Sequence, residues 1–102
     1  VQIHGLADVL ALAGEFDMSN HDVLSAALRA AVGRVSVALD VDLGRVTFLD
    51  RGSCRVLVEA TEPFRAAGGI VRLTGVPPSV EETLRMLAVD RVLRVELVGT
   101  QR

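Results

Sequence analysis

The stretch Val46-Thr47-Phe48-Leu49-Asp50-Arg51-Gly52-Ser53-Cys54-Arg55-Val56-Leu57-Val58 concentrates the side chains of this sequence that could do chemistry. An apolar run ends in Asp50, and small residues then open directly into a segment with helical spacing. Asp50 is placed to cap that helix, its carboxylate accepting from the free backbone N–H groups of the first turn. The same N–H groups, with the positive end of the helix dipole, make the turn a natural seat for an anion. A hydroxyl there could carry a phosphate without melting the helix. Ser53 is the nearby hydroxyl, and so the phosphoacceptor candidate. The alternative is a small first-turn residue bonding its own backbone. Arg51 opposes the dipole at the helix start. That small penalty points to contact with an anion or a partner carboxylate, although Arg51 and Arg55 together also fit a solvated helix face.

The remaining reactive residues are sparse. Cys54 falls on the apolar face of the helix and reads as a small buried hydrophobe, with a lowered pKa only if it is exposed at the helix start. One cysteine with His4 and His21 cannot supply a four-ligand metal site, and the two histidines are too isolated for catalysis. Asp40 and Asp42 alternate at a strand end, which by itself is weak support for acid–base work. No nucleophile–base pair and no phosphate-cradling glycine-rich loop is visible. The sequence therefore reads as a binding module with no cofactor and no metal, leaving only weak nucleotide binding at the helix start open.

These residues must be positioned by one domain, taken as 1–102, long enough to build its own core. Half of the residues are hydrophobic, with no Trp, no Tyr and three Phe, so Val, Leu, Ile and Ala must form that core. A formal charge of −2 argues against nucleic acid as a partner. All eleven basic residues are Arg, which reads as a coding bias of a GC-rich genome. A single cysteine fits a reducing, cytoplasmic setting. No apolar stretch approaches the roughly 18 residues that span a bilayer, so direct membrane insertion is not expected.

The elements follow from punctuation and period. Val9 to Ala13 is a short strand closed by Gly14, and Glu15-Phe16-Asp17 turns toward Ser19 or Asn20 as a helix cap. Apolar positions at helical spacing run from His21 to Val32, where Gly33 stops them. Val35 to Val41 alternates as a strand, and Leu43 to Leu49 is a partly extended connection. The helix opened by Asp50 runs to about Ala67, burying Cys54, Leu57, Val58, Thr61 and Phe64, and Gly68-Gly69 ends it. Ile70 to Leu73 is the next strand. Pro77-Pro78 turns into a third helix, Ser79 to Leu87, capped by Ser79, and Val92 to Val98 is the last strand. This order implies a mostly parallel sheet with right-handed crossovers, and helices on one face or around its edge.

The motifs in this order carry a resemblance. Gly14-Glu15-Phe16-Asp17 after a strand resembles the G-E-L-D signature of STAS domains, the family of bacterial anti-sigma factor antagonists. The Val37-to-Asp40 strand, Phe48-Leu49-Asp50, Arg55-Val56-Leu57-Val58, Gly68-Gly69 and Pro77-Pro78 match further family positions in order and spacing. The resemblance covers nearly the whole chain, with a first strand at Val1 to Leu6 or shortened. It implies an α/β fold: a mixed, mostly parallel sheet of four to five strands flanked by three to four helices.

It also implies a mechanism. Such an antagonist binds an anti-sigma factor, often a serine kinase, and frees a sigma factor, until phosphorylation at the start of the central helix weakens binding. The family stretch there resembles Asp-Ser-Ser-Gly-Leu, whose second serine is the acceptor. Aligned without gaps, Gly52 stands at that acceptor and has no oxygen to phosphorylate. Ser53 lies one position on, rotated about 100° around the helix. The resemblance implies a partner surface of Asp17, Asn20, Asp50, Arg51, Gly52, Ser53 and Arg55, on a monomer or weak dimer. Asp17 and Asn20 fit turn and cap chemistry equally well. The alternative within the family is a cytoplasmic accessory subunit of a lipid or anion transporter.

Overall fold

The computed structural model describes residues 1–98. Its strands β1 (Gln2–Leu6), β2 (Val9–Phe16), β3 (Ala38–Leu49), β4 (Ile70–Val76) and β5 (Arg94–Leu97) form one sheet in the order β1-β2-β3-β4-β5. β1 pairs antiparallel with β2 as a hairpin, and every other pairing is parallel. Helices α1 (His21–Val32), α2 (Arg51–Ala66) and α3 (Pro78–Met86) make the crossovers, and a 3₁₀ turn at Val89–Arg91 leads into β5. Each crossover steps to the next strand in the same direction. Right-handed connections then place all three helices on one face of the sheet.

Burial follows from that winding. Leu10, Leu12 and Phe16 of β2, Leu39, Val41 and Leu43 of β3, and Val71 and Leu73 of β4 are buried beneath Leu24 and Leu28 of α1 and Leu57 and Ala60 of α2. Each fully buried leucine contributes about 1.5–3 kcal/mol. The opposite face carries Asp40 and Arg72, which pair at 2.6 Å across adjacent strands. Asp40 and Asp42 are thus spoken for structurally: the first binds Arg72, and the second accepts from the Gly44 N–H at 2.9 Å. Among the described residues no helix is long and apolar enough to cross a membrane.

Several boundaries differ from the sequence expectation, each for a local reason. The first long strand does not close at Gly14 but runs on to Phe16, because Gly14, at φ +99°, lies beside a register shift that the strand passes through. The turn is therefore Asp17 to Asn20. Leu43 to Leu49 is not a connection but the second half of β3, whose pairing with β2 carries two register shifts. Those irregularities put the buried residues Leu43, Val46 and Leu49 three apart, which hides the period of two. Val35 to Val37 precede the strand instead of forming it. Ser79 does not cap α3: Pro77 holds the N-cap position and Pro78 the first helical one, where a missing N–H costs nothing. The last strand is shortened to Arg94–Leu97, because Val89–Arg91 takes the 3₁₀ turn first. The expected domain reaches 102, and its last four residues lie outside the described ones.

Gly68 closes α2 at φ +100°, with its own N–H on the Arg65 carbonyl and the Gly69 N–H on the Phe64 carbonyl, a Schellman arrangement. Gly75 is more demanding. It also has positive φ (+61°), and a Cβ there would lie 3.2 Å from Asp42 Oδ1 and 3.5 Å from Gly44 Cα. Gly75→Ala is expected to cost about 2 kcal/mol in a urea titration, from backbone strain with crowding added, and Gly68→Ala nearer 1 kcal/mol, since only strain applies there. Equal losses at the two glycines would refute the crowding argument.

Candidate functional site

β2 and β3 are adjacent, parallel and end level with one another, Phe16 opposite Leu49. Their following segments must therefore meet at the carboxyl edge of the sheet. The Asp50 N–H donates to the Phe16 carbonyl at 3.1 Å and joins them. In the first segment, Asp17 Oδ1 accepts from the Ser19 N–H at 2.9 Å and from its hydroxyl at 2.6 Å. Asn20 occupies the N-cap position of α1 but makes no cap bond there. Its side chain is turned back to knit the loop, Oδ1 accepting from the Asp17 N–H and Nδ2 donating to the Glu15 carbonyl.

In the second segment Asp50 caps α2, Oδ1 accepting from the Ser53 N–H at 2.7 Å. The same oxygen lies 3.0 Å from His21 Nε2, across from the first turn of α1. Burial alone would raise the Asp50 pKa, but the hydrogen bonds from His21 and Ser53 outweigh it and hold the carboxyl below its ordinary value. Asp17 is lowered too, chiefly by its hydrogen bonds to Ser19.

His21 is the residue of this candidate site that sequence reasoning passed over. Its ring covers Gly52: a Cβ built on Gly52 would stand 2.3 Å from His21 Cε1 and 2.9 Å from Nε2. Gly52 lies inside α2 with no positive φ, so the position needs glycine for room and not for backbone freedom. Twenty-nine residues separate His21 from Asp50. Only the adjacency of two parallel strands, read together with a glycine in the first turn of a helix, could have pointed to the pair.

The expected partner surface divides into parts. Asp17, Asn20, Asp50 and Gly52 cluster around His21. Arg51 and Arg55 are exposed and line a trough toward α3, where Phe48, Met86 and Leu87 meet them. Ser53 belongs to neither part. It is fully buried, and its hydroxyl is enclosed without a hydrogen-bond partner. Cys54 is buried as well, and burial, helped by the charge of Asp50, pushes its thiol up to about 11. A His–Asp pair beside a hydroxyl resembles part of a hydrolytic triad, but the Ser53 hydroxyl is shut into the core. The arrangement presents a rigid polar surface.

Two outcomes test this geometry. Gly52→Ser is expected to expel the His21 ring and destabilise the fold, but to be tolerated better in a His21→Ala background, with a coupling of about 1 kcal/mol in the double-mutant cycle. Strictly additive effects would refute the contact. Because the Asp50 pKa is depressed, its contribution is present above the ordinary value of 3.8 and is lost as pH falls through the depressed one. Asp50→Ala should therefore cost about 1–2 kcal/mol at neutral pH, from the lost cap and its histidine bond. The gap from the parent should close in strong acid, and a gap independent of pH would refute the assignment.

A family model described as "Mlab, STAS domain" matches residues 1–99. Similar solved structures include an anti-sigma factor antagonist from Mycobacterium paratuberculosis, 22% identical at a TM-score of 0.78 over 93% of this chain and 82% of that one. A sulfate transporter family protein from Wolinella succinogenes is 22% identical at 0.72, over 87% and 75%. The phosphorylated form of the Bacillus cell fate determinant SpoIIAA is 17% identical at 0.67, over 92% and 88%. At these identities the likeness is one of fold. No curated protein matches the chain significantly.

Proposed function

The chain belongs to the STAS domain family, and from that membership we propose that it is a non-catalytic anti-sigma factor antagonist working without phosphate control. It docks on a kinase-like anti-sigma factor through the Asp17 loop and the first turns of α2, and so frees a sigma factor in the cytoplasm. The observation that carries the reading is the His21 ring seated over Gly52. In the mechanism that the family resemblance implies, the acceptor hydroxyl stands at this position. Here the residue has no oxygen, and the space of its side chain is filled by an imidazole.

Ser53 supports the same reading, since a fully buried hydroxyl is out of reach of a kinase active site unless the helix start unfolds. A constitutive binder needs only a surface already in its bound shape. The loop hydrogen bonds of Asp17 and Asn20, and the clasp between His21 and Asp50, supply that order before a partner arrives. The transporter-accessory reading uses the same face to hold an ATPase, and the fold likeness to a sulfate transporter family protein keeps it as the second choice. Neighbouring genes separate the two: a sigma factor and kinase in one case, transporter subunits in the other.

Mixing the protein with a cognate kinase-like anti-sigma factor is expected to give a complex that survives gel filtration. Adding ATP should leave the intact mass unchanged and the complex assembled. A phosphate mapped to Ser53, with release of the partner, would replace this reading by a switchable one.

A further inference from the structure

Beyond the clasp, the first two turns of α2 and the end of α3 enclose a trough. Two depressions of about 270 and 280 Å³ share Arg51 and Leu87 and run together along it. Phe48 and Met86 stand in its wall with half or more of their surface in solvent, 50% and 77% exposed. Arg51, Arg55 and Glu59 follow one another four residues apart along the α2 rim, a span of about 12 Å. Neither arginine has a carboxylate partner among the described residues, whereas Arg72 and Arg85 do. Arg51 sits at the first helical position, where a cation weakens the helix. Among the described residues no ion pair joins it to the neighbouring Asp50, whose Oδ1 meets His21 and the Ser53 N–H.

The long walls of this trough are α2 and the end of α3, whose backbone groups are bonded within themselves, and the end of β3 adds Phe48 and Leu49 at one end. Along the helical walls an extended peptide would leave its own N–H and C=O groups without protein partners, while a helix brings its backbone already satisfied. We propose that the trough receives a two-turn amphipathic helix of the protein partner, apolar toward Phe48, Met86 and Leu87 and acidic toward Arg51 and Arg55. Asp50 at one end and Glu59 at the other confine the acidic residues to the stretch between them, beside Arg51 and Arg55. The inference rests on the docking reading above and adds the chemistry of the segment that docks.

Met18 and Met86 are the protein's two methionines, one on the Asp17 loop and one in the trough, so ¹³C-methyl labelling gives one resonance for each part of the surface. The probe is a lactam-bridged peptide with leucines at helical spacing flanked by glutamates, compared with its lysine-for-glutamate counterpart. The acidic peptide is expected to shift the Met86 methyl and leave Met18 still, and to bind at least about tenfold tighter than the lysine form. Arg51→Glu with Arg55→Glu should reverse that preference, and circular dichroism confirms that the variant is folded. An unmoved Met86 methyl, or equal binding of the two peptides, would overturn the trough assignment. An anti-sigma factor that shifts Met18 but not Met86 overturns it while leaving the docking reading intact. Absence of any complex with the anti-sigma factor removes the docking reading, and the peptide result still decides the trough.

Discussion

One residue joins three elements of this protein. Asp50 caps α2 through the Ser53 N–H, meets His21 of α1, and through its own N–H holds the end of β2 at Phe16. Without it, the positive end of α2 would begin at Arg51 with no carboxylate to cap it. With it, the histidine is pinned above Gly52, and the helix start becomes a fixed surface. The room at Gly52 and the inward turn of Ser53 belong to this same arrangement. A larger residue at 52 and a histidine at 21 cannot both keep their present places.

The winding of the sheet explains why the surface forms there. Strand order never reverses along the parallel part, so no crevice opens between diverging crossovers of the kind that holds nucleotides in doubly wound folds. What the carboxyl edge offers instead is the Asp17 loop and the start of α2 side by side, where β2 and β3 end level. Binding by a surface suits that geometry better than enclosure of a small molecule. The two exposed apolar side chains of the trough, Phe48 and Met86, lie along this edge beside the clasp.

Much of the architecture was legible from residue pattern. α1 falls on the span its apolar spacing indicates, and α2 begins and ends where Asp50 and Gly68 direct. The antiparallel first strand and the five-stranded sheet agree with the family resemblance. The misses share a cause. Irregular pairing in β3 broke its alternation, Gly14 masked two further strand residues, and a proline, not a serine, took the N-cap of α3. In each case a backbone feature set by the neighbouring strand or helix overrode the local signal.

By itself, the sequence determined the order of elements, the cap at Asp50 and the presence of a glycine at position 52. These depend on residues close together in the chain, whose chemistry acts over a few bonds. Only the tertiary structure decided why position 52 is glycine, where Ser53 points and what His21 does. Those answers lie in contacts between segments twenty-nine or more residues apart, brought together by the parallel pairing of β2 and β3. A histidine that reads as isolated in one dimension is, in three, the ring that covers Gly52 and meets Asp50.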